Sequence, residues 1–146
     1  MSKQDEAGLI LKLYELRRDE TMRKARDWFV REFHPKSVGD YMNTMAGPHT
    51  GHLRMVVSYW DMAAALVNNG AISLELFDAT NGEHILVFSR IEPLLPEIRK
   101  VVGPQFGANL EKLIDETPHG RKKVAENRER MKAFLEEATK QAQAAS

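Results

Sequence analysis

The segment His49-Thr50-Gly51-His52, with Arg54 two residues further on, holds the residue types most suited to chemistry. It follows Gly47-Pro48 and stands where a long apolar pattern begins. The first N–H groups of a helix lack intrahelical partners, and the positive end of the helix dipole lies there. A phosphate or carboxylate would bind the N–H groups of Gly51 and His52, with His49, Thr50 and Arg54 beside it. These five residues form the expected ligand-binding set. The plainer role for the same segment is a loop with Thr50 as N-cap.

Other chemistries find less support. His49 and His52, three apart, would share a metal only if folding brought in Asp61 or His84. Nothing matches H-E-x-x-H, so no metal site is expected. There is no G-x-S-x-G turn and no cysteine, so no catalytic nucleophile is expected. Walker A and dinucleotide fingerprints are absent, and no cofactor is expected. Ala63 to Phe77 imitates a helix-turn-helix, with Gly70 in the turn. Its second helix would read Ser73-Leu-Glu-Leu-Phe-Asp78, which is acidic and offers no base-reading side chain. No nucleic-acid partner is expected.

The elements that must position these residues are helical. Lys3 to Phe33 is read as one helix, opened by a Ser2–Asp5 capping box and stopped before Pro35. At 100° per residue Ile10, Leu11, Tyr14, Met22, Ala25, Trp28, Phe29 and Phe33 share a face; Leu9, Leu13 and Leu16 lie opposite. Ser37 with Asp40 caps a short helix to Met45. Residues 51–69 are apolar nearly all round, which marks a buried central helix. Trp60 lies mid-face on it. Asp61 sits on its polar stripe, expected to be partly buried and hydrogen-bonded or paired with a cation. Gly70 suits the left-handed position after that helix. Ser73 caps another short helix. Glu83 to Ile91 is read as helix, although its middle would also pass for a strand. Further helices are expected at 94–102, from Pro104 to Glu116, and from Pro118 to Lys140. The last has a narrow, near-heptad stripe of Val124, Met131, Leu135, Ala138 and Ala142.

Val56 to Phe77 resembles a broad group of small, all-helical bacterial proteins of unknown function. The shared pattern is an aromatic-acidic pair (Trp60-Asp61), a small-residue helix (Ala63 to Val67), Gly70, Ile72 and a short helix ending at Phe77. Ser73 stands where that pattern has an acidic residue. The resemblance implies helical architecture and a bacterial source, and it brings no catalytic residues.

Composition agrees with a single helical domain. The chain has 146 residues, 21 basic and 21 acidic, for zero formal net charge. That balance gives no field for a polyanion or an anionic membrane. Charge is concentrated at the two ends, leaving residues 36–92 poor in it. No apolar run approaches the length of a spanning helix, and no secretory leader is read at the start, so the expected location is cytoplasmic. The expected fold is all-α, an irregular bundle of six to seven helices around residues 51–69. One domain spans 1–140, with a frayed tail at 141–146.

Two functions follow. The first is a non-enzymatic interaction or regulatory protein that forms a homodimer through Leu9, Leu13, Leu16, Met131 and Leu135. The second is a small-ligand or anion-binding domain, with or without catalysis, at His49–Arg54.

Overall fold

A computed structural model of the chain describes residues 2–145. Ser2 opens α1 (Lys3–Arg17), accepting a hydrogen bond from the Asp5 N–H while the Asp5 carboxylate accepts from the Ser2 N–H. The expected helix over 3–33 is in fact two. Asp19 accepts from the N–H groups of Thr21 and Met22 and so starts α2 (Glu20–Glu32). A short carboxylate that bonds nearby N–H groups competes with the helical ladder.

That break resets the phase of the apolar face. Leu13 turns inward, 3% exposed, while Leu11 and Tyr14 are 66% and 51% exposed. The inward side of α1 is therefore neither of the two expected faces but the edge between them, with Leu9, Ile10 and Leu13 inward and Leu11, Tyr14 and Leu16 outward. A single wheel carried through Asp19 mixes two helices with different axes.

Ser37 caps α3 (Val38–Ala46) through the Asp40 N–H. α4 (Thr50–Asn68) is the central helix, flanked by α2 and α8 and touched by α3, α5 and α6. Trp60 is fully buried and its Nε1 donates to Glu83 Oε2 at 3.1 Å. Gly70 takes φ 83° just past the helix, the left-handed geometry that glycine adopts without steric cost. Ser73 caps α5 (Leu74–Thr80). Residues Glu83–Ile91 form α6, not a strand. A 3-10 turn at Glu92–Leu94 leads into α7 (Leu95–Val102).

α8 (Ala108–Glu116) starts later than Pro104 because Gly107 adopts φ 68° and keeps residues 103–107 in a turn. α9 (Gly120–Ala145) lies on α6 and α8. Residues 141–145, expected to fray, continue α9; Ser146 lies outside the described residues. Alanine and glutamine there favour helix. Among the described residues there are nine α-helices and no strand, so the fold is all-α.

Three polar arrangements join these helices, the first of them buried. Arg90 of α6 donates to the carbonyls of Phe29 (2.9 Å), Val30 (3.2 Å) and Phe33 (2.5 Å). Those are among the last carbonyls of α2, so a cation from another helix serves as its C-cap. Burial lowers the Arg90 pKa to about 10, which leaves it charged at neutral pH. Glu83 holds Arg26 at 2.9 Å together with Trp60. Arg121 of α9 meets Glu92, Glu111 and Asp115, and Arg128 meets Glu92, fastening the base of α9.

Candidate functional site

α3, Gly47-Pro48 and the start of α4 position the expected ligand-binding set. Helix α4 begins one residue earlier than expected, with His49 at the N-cap and no side chain capping it. Thr50 is the first helical residue rather than the cap. Its N–H bonds Gly47 O at 3.3 Å and its hydroxyl faces Met45 Sδ at 3.9 Å. Gly51 is exposed, and a Cβ there would meet nothing within 4 Å.

The imidazoles gather on Trp28. His49 stacks on the indole, with ring centroids 5.1 Å apart and planes at 15°. His52 lies 6.0 Å from Trp28 and 5.9 Å from His49. His49, Trp28 and Pro48 line a cleft of about 470 Å³, whose other walls include Glu32 and Asp40. Two carboxylates oppose an anion there. His34, on the same cleft, has its pKa lowered by burial first and then by the Arg90 guanidinium, against the Arg31 carbonyl, which raises it. Among the described residues no group of three or more His, Asp or Glu side chains is placed to hold a metal ion.

Arg54 belongs to a different cleft. It faces about 750 Å³ of space between α3, α4 and the turn 103–107, together with Tyr41, Val57, Asp61 and Phe106. The structure thus divides the five residues: His49 on one cleft, Arg54 on another, and Thr50, Gly51 and His52 on the helix between them.

Asp61 is partly buried and hydrogen-bonded, as its place on the polar stripe requires. Its Oδ1 accepts from the Leu110 N–H at 2.9 Å and its Oδ2 from Asn109 Nδ2 at 3.1 Å. Gly107, at the N-cap of α8, has no side chain to cap with, and Asp61 supplies the carboxylate from α4. Its partners are amides rather than a cation.

The sequence of one protein family, a domain of unknown function (DUF4760), matches residues 5–117. The chain belongs to that family. The DUF4760 match runs from α1 to the end of α8, so both clefts lie inside it and α9 lies outside. The segment Val56 to Phe77, which carries the resemblance to helical proteins of unknown function, is within the DUF4760 match. No curated protein and no solved structure matches the chain. No helix among the described residues is long and apolar enough to cross a membrane.

The expected interface residues are also divided. Leu9 packs partly against the core, and Leu13 is buried, its carbonyl accepting from the Tyr59 hydroxyl at 2.5 Å. Leu13 has no surface to offer a partner. Leu16 is 42% exposed, Met131 half-buried, and Leu135 38% exposed. Phe134, which lies off the heptad stripe, is more exposed than any of these. Sequence reasoning passed over Tyr41 and Phe106 because nothing local to either pairs it with Arg54. It passed over Arg90 too, although an arginine inside the run His84–Ile91 signals a buried cation with backbone partners.

Proposed function

We propose that this DUF4760 protein is a non-enzymatic interaction domain that forms a homodimer through the distal half of α9. The observation that carries the reading is that every described residue from 132 to 145 is exposed although the segment is helical. A lone helix of about this length is marginal in water, so packing against a partner would stabilise it. Met131, Leu135, Ala138 and Ala142 alternate at four and three residues, the spacing of a two-helix seam. Phe134 borders that seam. A second copy is the partner, because two identical seams complement one another about a two-fold axis and zero net charge adds no long-range repulsion.

The non-catalytic part rests on what the buried charged groups do. Arg90 binds carbonyls of α2, Glu83 joins Arg26 to Trp60, and Asp61 caps α8. Each is committed to holding helices together. A bacterial, cytoplasmic setting accompanies this reading.

Light scattering from low micromolar to about 100 μM tests the dimer, a range in which a weak association becomes visible. The expected mass is twice 16.6 kDa at the upper end. Leu135→Lys should return it to the single-chain mass, while Leu16→Lys should not. A mass of one chain throughout would end the proposal, and a dimer split by Leu16→Lys alone would move the interface to α1.

A further inference from the structure

The cleft over Arg54 has a charge and wall composition that the dimer reading does not use. Its apolar wall is made by Met45 of α3, Val57 of α4, Val102 at the end of α7 and Phe106 in the turn after it. The turn is held in shape: Arg99 Nε donates to Phe106 O at 2.9 Å, and Arg99 pairs with Glu111 at 2.9 Å. Gly103 and Gly107 take positive φ, which lets the turn fold over the end of the cleft. The volume of about 750 Å³ is within the range of small-molecule sites.

Of the polar side chains on this space, which include Ser58 and Gln105, three bear most on a charged ligand. Arg54 is exposed and, among the described residues, forms no ion pair, so its guanidinium fork is available. Tyr41 is 3% exposed with its side chain on the cleft. Burial holds the Tyr41 hydroxyl pKa at about 12, so it stays protonated and able to donate. Asp61 has both oxygens engaged by α8 and lies seven residues from Arg54, about 10 Å along the helix.

We propose that this cleft binds a small amphipathic monocarboxylate, its carboxylate on Arg54 and the Tyr41 hydroxyl and its apolar body against Val57, Val102 and Phe106. An arginine fork matches a carboxylate in two parallel hydrogen bonds. The apolar wall takes a chain or ring that would otherwise face water. Asp61 at the far side selects against a second negative charge, so a phosphate monoester is disfavoured. The inference is independent of self-association, since none of these residues lies on α9.

The test uses the full chain, isotopically labelled, and follows backbone amide signals while octanoate, octanol or inorganic phosphate is titrated to about 10 mM, where ligands of millimolar affinity saturate. Octanoate should shift Gly103, Phe106 and Gly107 in a saturable way and bind about tenfold tighter than octanol, the worth of one charge-assisted pair. Arg54→Gln, a change at an exposed side chain, should remove that preference and leave octanol binding as it was. Equal binding of octanoate and octanol to the unaltered chain would overturn the proposal. So would shifts absent from residues 101–107, or a response to phosphate as strong as that to octanoate.

Discussion

Residues 50–68 and residues 132–145 both form uninterrupted helix, yet α4 buries eight side chains and the distal part of α9 buries none. In α4 the apolar residues spread nearly round the cylinder, so neighbours on several sides can cover it. In α9 they form one narrow stripe between lysines, glutamates and glutamines, residues that favour helix without needing burial. The two regions separate two things that sequence patterns tend to merge: being helical and being part of the core. The family boundary falls between them, with α4 inside the matched stretch and α9 beyond it.

The comparison predicts a wide spread of substitution costs. The largest belongs to Trp60→Ala, which removes a fully buried indole and its hydrogen bond to Glu83. It should cost about 3–5 kcal/mol by urea unfolding. A midpoint close to that of the unaltered chain would show that α4 is not the centre of the core.

His84 gives the next effect, and it appears with pH. The ring is 1% exposed, set against Phe77 at 5.0 Å and Trp60 at 5.9 Å, and neither nitrogen has a partner among the described residues. Burial pushes its pKa from 6.5 down to about 4; Asp78 opposes the shift and Lys123 adds to it. In that interval the unfolded chain binds a proton that the folded chain does not. Stability should therefore fall as pH drops from about 6.5 to about 4, by a few kcal/mol, and the contribution should flatten below that. Two other groups act on the same interval: His34, whose pKa burial and Arg90 lower, adds a smaller slope of the same sign, and Glu111, raised by burial but lowered on balance by Arg121 and Arg99, adds to it at the acid end. His84→Leu should remove most of the slope between pH 6.5 and 4 in chemical unfolding. A slope that persists would assign it to other groups.

Asp61 is a smaller case. Asp61→Ala takes the cap from α8 and should cost about 1 kcal/mol, the usual worth of an N-cap. Asp61→Asn keeps one acceptor oxygen and should cost less. Unchanged stability in both, measured by thermal melting from pH 5 to 8, would mean that α8 does not depend on α4 for its cap.

Leu135→Lys sits at the bottom of the scale. In dilute solution its effect on stability should be within about 0.5 kcal/mol, as for most surface changes. A loss as large as that of Trp60→Ala at micromolar concentration would erase the distinction between α4 and α9.

Much of the fold was readable before the structure. The Ser2, Ser37 and Ser73 caps, Gly70, the central helix, the burial of Trp60 and the bonding of Asp61 all follow from short-range spacing. The division at Asp19 was not read, because Asp19 also fits an i,i+4 pair with Arg23 on a continuous helix. The candidate site was legible only in part. His49 to Arg54 was found as one segment, but consecutive residues on a helix point in different directions, and the neighbours that make Arg54 part of a cleft come from residues 41 and 102–107.

Sequence alone thus determined which stretches are helical, where most of them start and stop, and which helix is central, because capping and apolar periodicity act within a few residues of one another. Tertiary structure alone decided which face of α1 is inward, that Arg90 completes α2, that Asp61 completes α8, and that Arg54 parts from His49. Each of these depends on partners beyond the reach of helical periodicity, up to 61 residues away, or on a helix axis redirected by one cap, and neither leaves a local signature.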